Sequence, residues 1–358
     1  MMRLHRNLVF ACLALCALTS FAAAQGQIRG RIYFVSGEEL ADAALVKQLD
    51  EVGGKDARRF VLALSEEASL PGVDHCLAPK SIASANDREL CAQIAAADVL
   101  VVRGGSFMQW YDTVYPKGPS TYLAGALLDH VRKYKTVIAH AGAGAFFSSG
   151  VSVPLKDLPN ERQRNPRDVY DQKPRVAMGL GPPLLLDCET WPDGSAYRVL
   201  HAAWQTRVDL ALHLVGELVV EYRREPGVFV LHGPGSALLF DLSHSRRRKR
   251  GVDEGRISLL HAGDGWDFVY DRAVPAPEGK PLGRELGKGD ERFEVEAPLL
   301  RAPAWIERLA ALAADDERRH HFTQGERLLE LGWDEDSRGF EGREGLSLFA
   351  LPFRCRWE

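Results

Sequence analysis

The strongest constraint on this chain is a regular alternation of buried-type strands and amphipathic helices through its first half. Arg31–Ser36 is β-branched and aromatic, and the following Glu38–Val52 places Leu45, Leu49 and Val52 on one helical face. Gly53-Gly54 ends that helix, and Phe60–Ser65 reads as the next strand. Asn86 with Glu89 three residues on predicts the start of a helix carrying Leu90, Ile94 and Ala97. Val99–Val102 is a short buried-type strand that runs into Gly104-Gly105. Thr121–Lys133 is helical by pattern, and Thr136–Ala139 is another buried strand, ending at His140-Ala-Gly-Ala-Gly-Ala. Repeated β-α units of this kind predict an α/β fold, a mostly parallel sheet with helices on both faces.

The second half has a different rhythm. Gly150–Val176 is polar and rich in Pro, Arg and Asp, the composition of a long surface loop. Leu184–Leu186 reads as strand and Tyr197–Val215 as a helix or broken helix. Val228–Leu231, Ala237–Leu242, Ile257–His261 and Phe268–Tyr270 are closely spaced β-rich segments and predict antiparallel hairpins. Pro303 to Ala314 spaces Ile306, Leu309, Ala310 and Ala313 as a further helix, and the charged tail after it has no clear period. No internal repeat is present. The expected organisation is a signal peptide over 1–24, an α/β domain over 25–270, and a C-terminal extension over 271–358 packed on it.

The signal is read from Arg3 and Arg6, the apolar run Leu8 to Leu18, and Ala22-Ala23-Ala24 as a cleavage site. The run is shorter than the roughly 20 residues a membrane span needs. Leu15 before Cys16 is too large for a lipid-attachment site. The expectation is therefore an exported protein, periplasmic or extracellular, with no integral membrane segment after cleavage. Cleavage removes two arginines and no acids, moving the net charge from -4 to -6. That acidity argues against nucleic acid as a general partner. Arg246 to Arg250 is a basic run between strand-like segments, a solvated hairpin tip or else a polyanion contact.

Four of the six cysteines lie beyond the signal, which allows two disulfides in an oxidising compartment. Cys76 and Cys91 would close a short loop. Cys188 with Cys355 follows only by elimination, and all three connectivities stay open. No cysteine spacing suits a metal, His320-His321 follows a charged helix end and is expected to be exposed, and no cofactor is expected. Nothing in the pattern specifies an oligomer.

The chemistry concentrates at His140 to Gly144. A buried strand followed at once by small residues and then a helix is the layout of a nucleophile elbow. The helix is expected to begin at Ala145-Phe146-Phe147. Read against G-x-S-x-G, the nucleophile position is Gly142 and the first glycine is His140. Ser148 and Ser149 lie about 9 Å further along such a helix, too far to replace it.

Here the chain resembles the cyanophycinase and dipeptidase E serine peptidases, whose sheet is similar to class I glutamine amidotransferases and flavodoxin-like in layout. Arg31–Gly37, Gly53-Gly54-Lys55, Gly104-Gly105-Ser106-Phe107, His140 to Ala145, Gly179-Leu180-Gly181 with Asp187-Cys188-Glu189, and Val228–Ser236 match that family's segments in order. The resemblance implies that the nucleophile falls on Gly142, the catalytic histidine on Glu189 and the substrate-reading Gln on Phe107. Two substrate arginines fall on Asp193 and Ser195. Asp187 and Arg198 are retained, and Gly105 and Ala143 would supply the oxyanion-hole N–H groups beside Gly104.

A serine peptidase needs an oxygen nucleophile and a base within reach of it. Losing either costs on the order of 10⁶ in turnover, leaving about 10³ to 10⁴ over water. The expected function is therefore a non-catalytic protein binding a peptide, an amino-acid-like ligand or a partner. The alternative is a hydrolase with reassigned groups, Cys188 as nucleophile, His140 as base, and Glu189. His140 facing Glu189 could hold a cation, act as an acid/base couple, or fill the space left by a lost triad. A third reading is a structural subunit of an envelope assembly.

Overall fold

A computed structural model describes residues 31–36, 57–64, 73, 75–77, 81, 83–116, 120–133, 135–148, 151–152, 175–188, 196–282, 290–294, 302–314, 318–324, 327–342 and 345–356. The expected signal, the expected helix Glu38–Val52 and the Gly53-Gly54-Lys55 segment lie outside the described residues.

In chain order the first half comprises β1 (Arg31–Val35), β2 (Arg59–Ala63), β3 (His75–Leu77), α1 (Arg88–Ala96), β4 (Val99–Arg103), α2 (Phe107–Val114), α3 (Tyr122–Arg132), β5 (Thr136–His140) and α4 (Ala141–Ser148). There follow β6 (Val151–Ser152), β7 (Arg175–Val176), β8 (Leu185–Asp187), α5 (Ala196–Thr206), β9 (Leu210–Val215), β10 (Val219–Arg223), β11 (Val228–His232) and β12 (Ser236–Asp241). Next come β13 (Arg246–Arg248), β14 (Gly251–Leu260), β15 (Gly265–Asp267), β16 (Arg272–Val274), β17 (Lys280–Pro281) and β18 (Glu291–Glu294). The last elements are α6 (Ala302–Ala314), β19 (Arg319–Gln324), β20 (Arg327–Gly332), β21 (Arg338–Glu341) and β22 (Leu346–Arg356).

Apart from β6 and β7, which pair only with each other, these strands form two large sheets. The first runs β16-β15-β11-β10-β1-β5-β4-β2-β3. Its five strands from β1 to β3 are parallel, and the other four are antiparallel, so the sheet is less parallel than the sequence predicts. Counted from β2, the order β3-β2-β4-β5 follows the flavodoxin order, but β1 takes the fifth place beside β5. The apolar runs of β1, β2 and β4 are buried on both sides, as parallel strands require. Ile32, Phe34, Leu62, Leu100, Val102 and Val137 share a core with α1 to α4. Tyr33, Val35, Val61, Val101 and Ile138 face the other way. Among the described residues the helices that pack on this sheet belong to the first face alone.

The second sheet runs β18-β19-β20-β22-β14-β12-β9-β8, with β13, β17 and β21 attached. Leu186, Leu212, Leu214 and Leu239 turn toward the first core, and Leu185, Ala211, Leu238 and Phe240 turn toward α5 and α6. The long pairing of β14 with β22 puts strands from both sides of residue 270 into one sheet.

Several local expectations are corrected. The α1 cap is Asp87, whose side chain accepts from Glu89 N at 2.8 Å, while Asn86 Oδ1 accepts from Tyr122 N at 3.0 Å. Tyr197–Val215 is not one helix. Arg207 turns to a φ of 59° after α5, and the apolar run Leu210–Val215 becomes a central strand. A short apolar run gives no period that separates helix from strand. Phe268–Tyr270 is the turn between β15 and β16 rather than a strand. The tail forms four strands, in which His320 is 1% exposed and packs with Phe322, overturning the expected exposure. Arg246 to Arg250 does form a hairpin tip, through β13 and β14. Neither disulfide forms: Cys91 is a half-buried thiol, and Cys188 and Cys355 belong to different cores. Among the described residues no helix is long and apolar enough to cross a membrane.

Candidate functional site

Groups that bind or react in open α/β sheets gather beyond the carboxyl ends of the parallel strands. Two neighbouring strands, β4 and β5, deliver the predicted residues to that edge, with Val102 in register with Ala139. Beyond β4, Gly104 and Gly105 take φ values of 71° and 74°, a conformation that L side chains resist. A Cβ at Gly105 would also lie 2.7 Å from Leu64 Cδ1. Ser106 then caps α2, and its backbone N–H donates to Gln109 Oε1 at 2.7 Å in a capping box. Trp110 Nε1 donates to Gly104 O at 2.7 Å, which ties the turn to the helix it precedes.

β5 passes into α4 without an intervening loop, four residues earlier than the expected helix start. Gly142 therefore lies in the first turn of α4, directly after the strand. Phe107, where the resemblance implies a substrate-reading side chain, is 4% exposed and meets Phe146 of α4 edge-on at 5.5 Å. Trp110 meets Phe147 at 5.7 Å and Tyr115 meets Phe146 at 5.9 Å, so aromatic rings fill the space between α2 and α4. Ala143 is fully buried in the same core.

The Gly179-Leu180-Gly181 segment has a structural cause. Met178 N, Leu180 N and Gly181 N donate to Phe146 O, Phe147 O and Ser148 O at 3.0, 3.0 and 2.8 Å, satisfying the last carbonyls of α4. A Cβ at Gly181 would come within 2.7 Å of Ser148 O. Ser148 is itself fully buried, with Oγ donating to Ala145 O at 3.2 Å. Cys188 is 0% exposed and lies beneath α4, where a Cβ on Gly144 would sit 3.1 Å from its Sγ. A thiol sealed in this way has no route to a substrate.

Asp187 is brought to a residue that the sequence reading missed. His213 Nδ1 donates to Asp187 Oδ2 at 3.0 Å, with side-chain exposures of 1% and 4%. The two are register partners on β8 and β9, and Leu238 of β12, which faces α5 and α6, is the next residue across. Successive strand residues alternate faces, so Asp187 turns away from the side on which Cys188 meets α4. The carboxylate fixes the imidazole tautomer, and Nε2 is buried without a hydrogen-bond partner. This resembles the base half of a hydrolase triad, but it is sealed in a core and separated from Gly142 by the thickness of the sheet. The available signal was a lone histidine in the apolar run Leu210–Val215.

The side chains of His140 and Arg198, and Glu189, Asp193 and Ser195 entirely, lie outside the described residues. Among the described residues no three His, Cys, Asp or Glu side chains are grouped to hold a metal ion.

No protein-family model matches this chain, and no curated protein matches it. Among solved structures it is similar to a peptidase from an acI-B1 Actinobacterium. The identity is 15% over 68% of this chain and 99% of that one, with a TM-score of 0.47.

Proposed function

We propose that this is an exported, cyanophycinase-like protein whose hydrolytic centre has been lost, and whose cleft binds a peptide, an amino-acid-like ligand or a partner without cleaving it. The observation that carries this reading is Gly142, which stands directly beyond β5 and offers no side-chain atom for attack. Phe107 supports it, because its ring is committed to Phe146 and cannot read a substrate. The burial of Cys188 and of Ser148 speaks against either as a substitute nucleophile. Asp187 is engaged by His213, so Arg198 becomes the main motive for affinity toward a carboxylate-bearing ligand. In this reading residues 1–24 direct export.

Calorimetric titration with arginine- and aspartate-containing dipeptides tests the binding function. Saturable heat without release of free amino acid is expected. Absence of binding up to about 1 mM, the weak end of useful affinity, would remove the ligand version.

A further inference from the structure

The opposite edge of the first sheet holds a group that neither the elbow nor its helices use. Arg224 follows β10 at the end where Arg223 pairs with Arg31, the amino end of β1. Its side chain is 9% exposed, and neither Nη1 nor Nη2 has a hydrogen-bond partner. The carboxylates on β10 and β15 are committed elsewhere. Glu221 accepts from Arg223 at 2.8 and 2.9 Å and pairs with His232 at 3.0 Å, while Asp267 accepts from Val269 N and Tyr270 N at 2.9 and 3.1 Å.

A second unpartnered donor lies on the same side. Tyr222, Phe229 and Trp266 are in register across β10, β11 and β15 and belong to one core. Trp266 is 6% exposed, and its Nε1 also lacks a partner. The Tyr222 hydroxyl lies beside the Arg224 guanidinium, on this aromatic side. Phe268 closes the group, 6.1 Å from Tyr222 and 5.9 Å from Phe229. Its backbone N–H donates to Gly227 O at 2.9 Å, so the turn carrying Arg224 and the turn carrying exposed Val269 and Tyr270 are joined.

A buried cation without a counter-charge is costly, and buried donors without acceptors are rare enough to need an explanation. Every unused group here is a donor. We propose that Arg224 and Trp266 form a binding site for the carboxylate of a small organic acid with an apolar body. One guanidinium carries one charge, which a monoanion neutralises and a phosphate dianion would exceed. The planar fork matches a carboxylate, and Trp266 supplies a third donor for an oxygen with lone pairs to spare. Tyr222, Phe229 and Phe268 take the apolar body. Burial lowers the pKa of Arg224, which the neighbouring Tyr222 hydroxyl opposes.

The test uses the whole protein in a buffer free of carboxylates, with phenylacetate as probe and benzyl alcohol as its uncharged counterpart. Phenylacetate is expected to raise the thermal midpoint saturably, and benzyl alcohol to leave it unchanged. Arg224→Met should weaken phenylacetate binding at least about tenfold, as loss of a charge-assisted fork requires. The same variant should unfold at the same temperature as the parent or higher, since it replaces an unpaired buried charge with hydrocarbon. Trp266→Phe, which removes the N–H but keeps an aromatic side chain, should weaken binding severalfold. No saturable shift up to about 10 mM phenylacetate would overturn the proposal. So would an equal response to benzyl alcohol, or an Arg224→Met protein that binds phenylacetate as well as the parent does.

Discussion

Replacing Gly144 by Ala in α4 asks whether Cys188 is a packing group under the helix. Glycine costs a helix interior about 1 kcal/mol relative to alanine, so on propensity alone the change would stabilise. The new Cβ would lie 3.1 Å from Cys188 Sγ, 3.3 Å from Ala139 O and 3.4 Å from Cys188 Cβ. Apolar atoms prefer separations of roughly 3.5–4.0 Å, and overpacking a tight core costs about 1–3 kcal/mol. The net expectation is a loss of about 1 kcal/mol in urea unfolding. Cys188→Ala removes the nearest of these atoms. In the double variant the two effects should therefore couple favourably by about 1 kcal/mol, well outside the roughly 0.3–0.5 kcal/mol scatter of independent sites. Strict additivity, or a Gly144→Ala protein more stable than its parent, would refute the packing, and with it the burial that disqualifies Cys188 as a nucleophile.

Other expectations follow from the same contacts. Asp187→Ala should cost about 3 kcal/mol in denaturant unfolding by leaving the buried His213 imidazole without its acceptor, whereas His213→Phe should cost less than this. Glu221 is held at about 2 against an ordinary 4.5: burial would raise it, but hydrogen bonds from His232 and Arg223 and their charges prevail. Because the folded value is depressed, its stabilisation of about 3 kcal/mol is complete above pH 4.5 and is lost as pH falls toward 2. Glu221→Gln should flatten that acid limb, and an unchanged limb would show that the carboxylate is not held in this way. Phe107→Gln should destabilise by at least about 3 kcal/mol without improving dipeptide affinity, since the ring it removes is core. Gly142→Ser with Glu189→His should restore almost no peptidase turnover, because Asp193 and Ser195 still stand where substrate arginines are implied.

The parallel part of the first sheet was legible because β1, β4 and β5 are continuous apolar runs broken by Gly104-Gly105 and by the small residues after His140. The second sheet was not. β9 reads equally well as helix because Leu-Ala-Leu-His-Leu-Val is apolar on both faces, and β19 hides its alternation behind Arg319, His320 and His321. His213 stayed invisible for the same reason, since its role depends on Asp187 lying in register on a neighbouring strand. The departure at Phe107 was visible as a residue type, but its burial against Phe146 is a property of how α2 meets α4. The cysteine count misled because an even number permits pairing without bringing Cys188 and Cys355 to the same core.

The central claim is that no nucleophile serves the cleft beside Gly142. Its most direct test is the intact mass of the native protein after incubation with a fluorophosphonate, which esterifies activated serines. The expected result is the unmodified mass, with Ser148 buried and Gly142 unable to react. A stoichiometric single adduct that forms on the native protein and not on the unfolded one would contradict it.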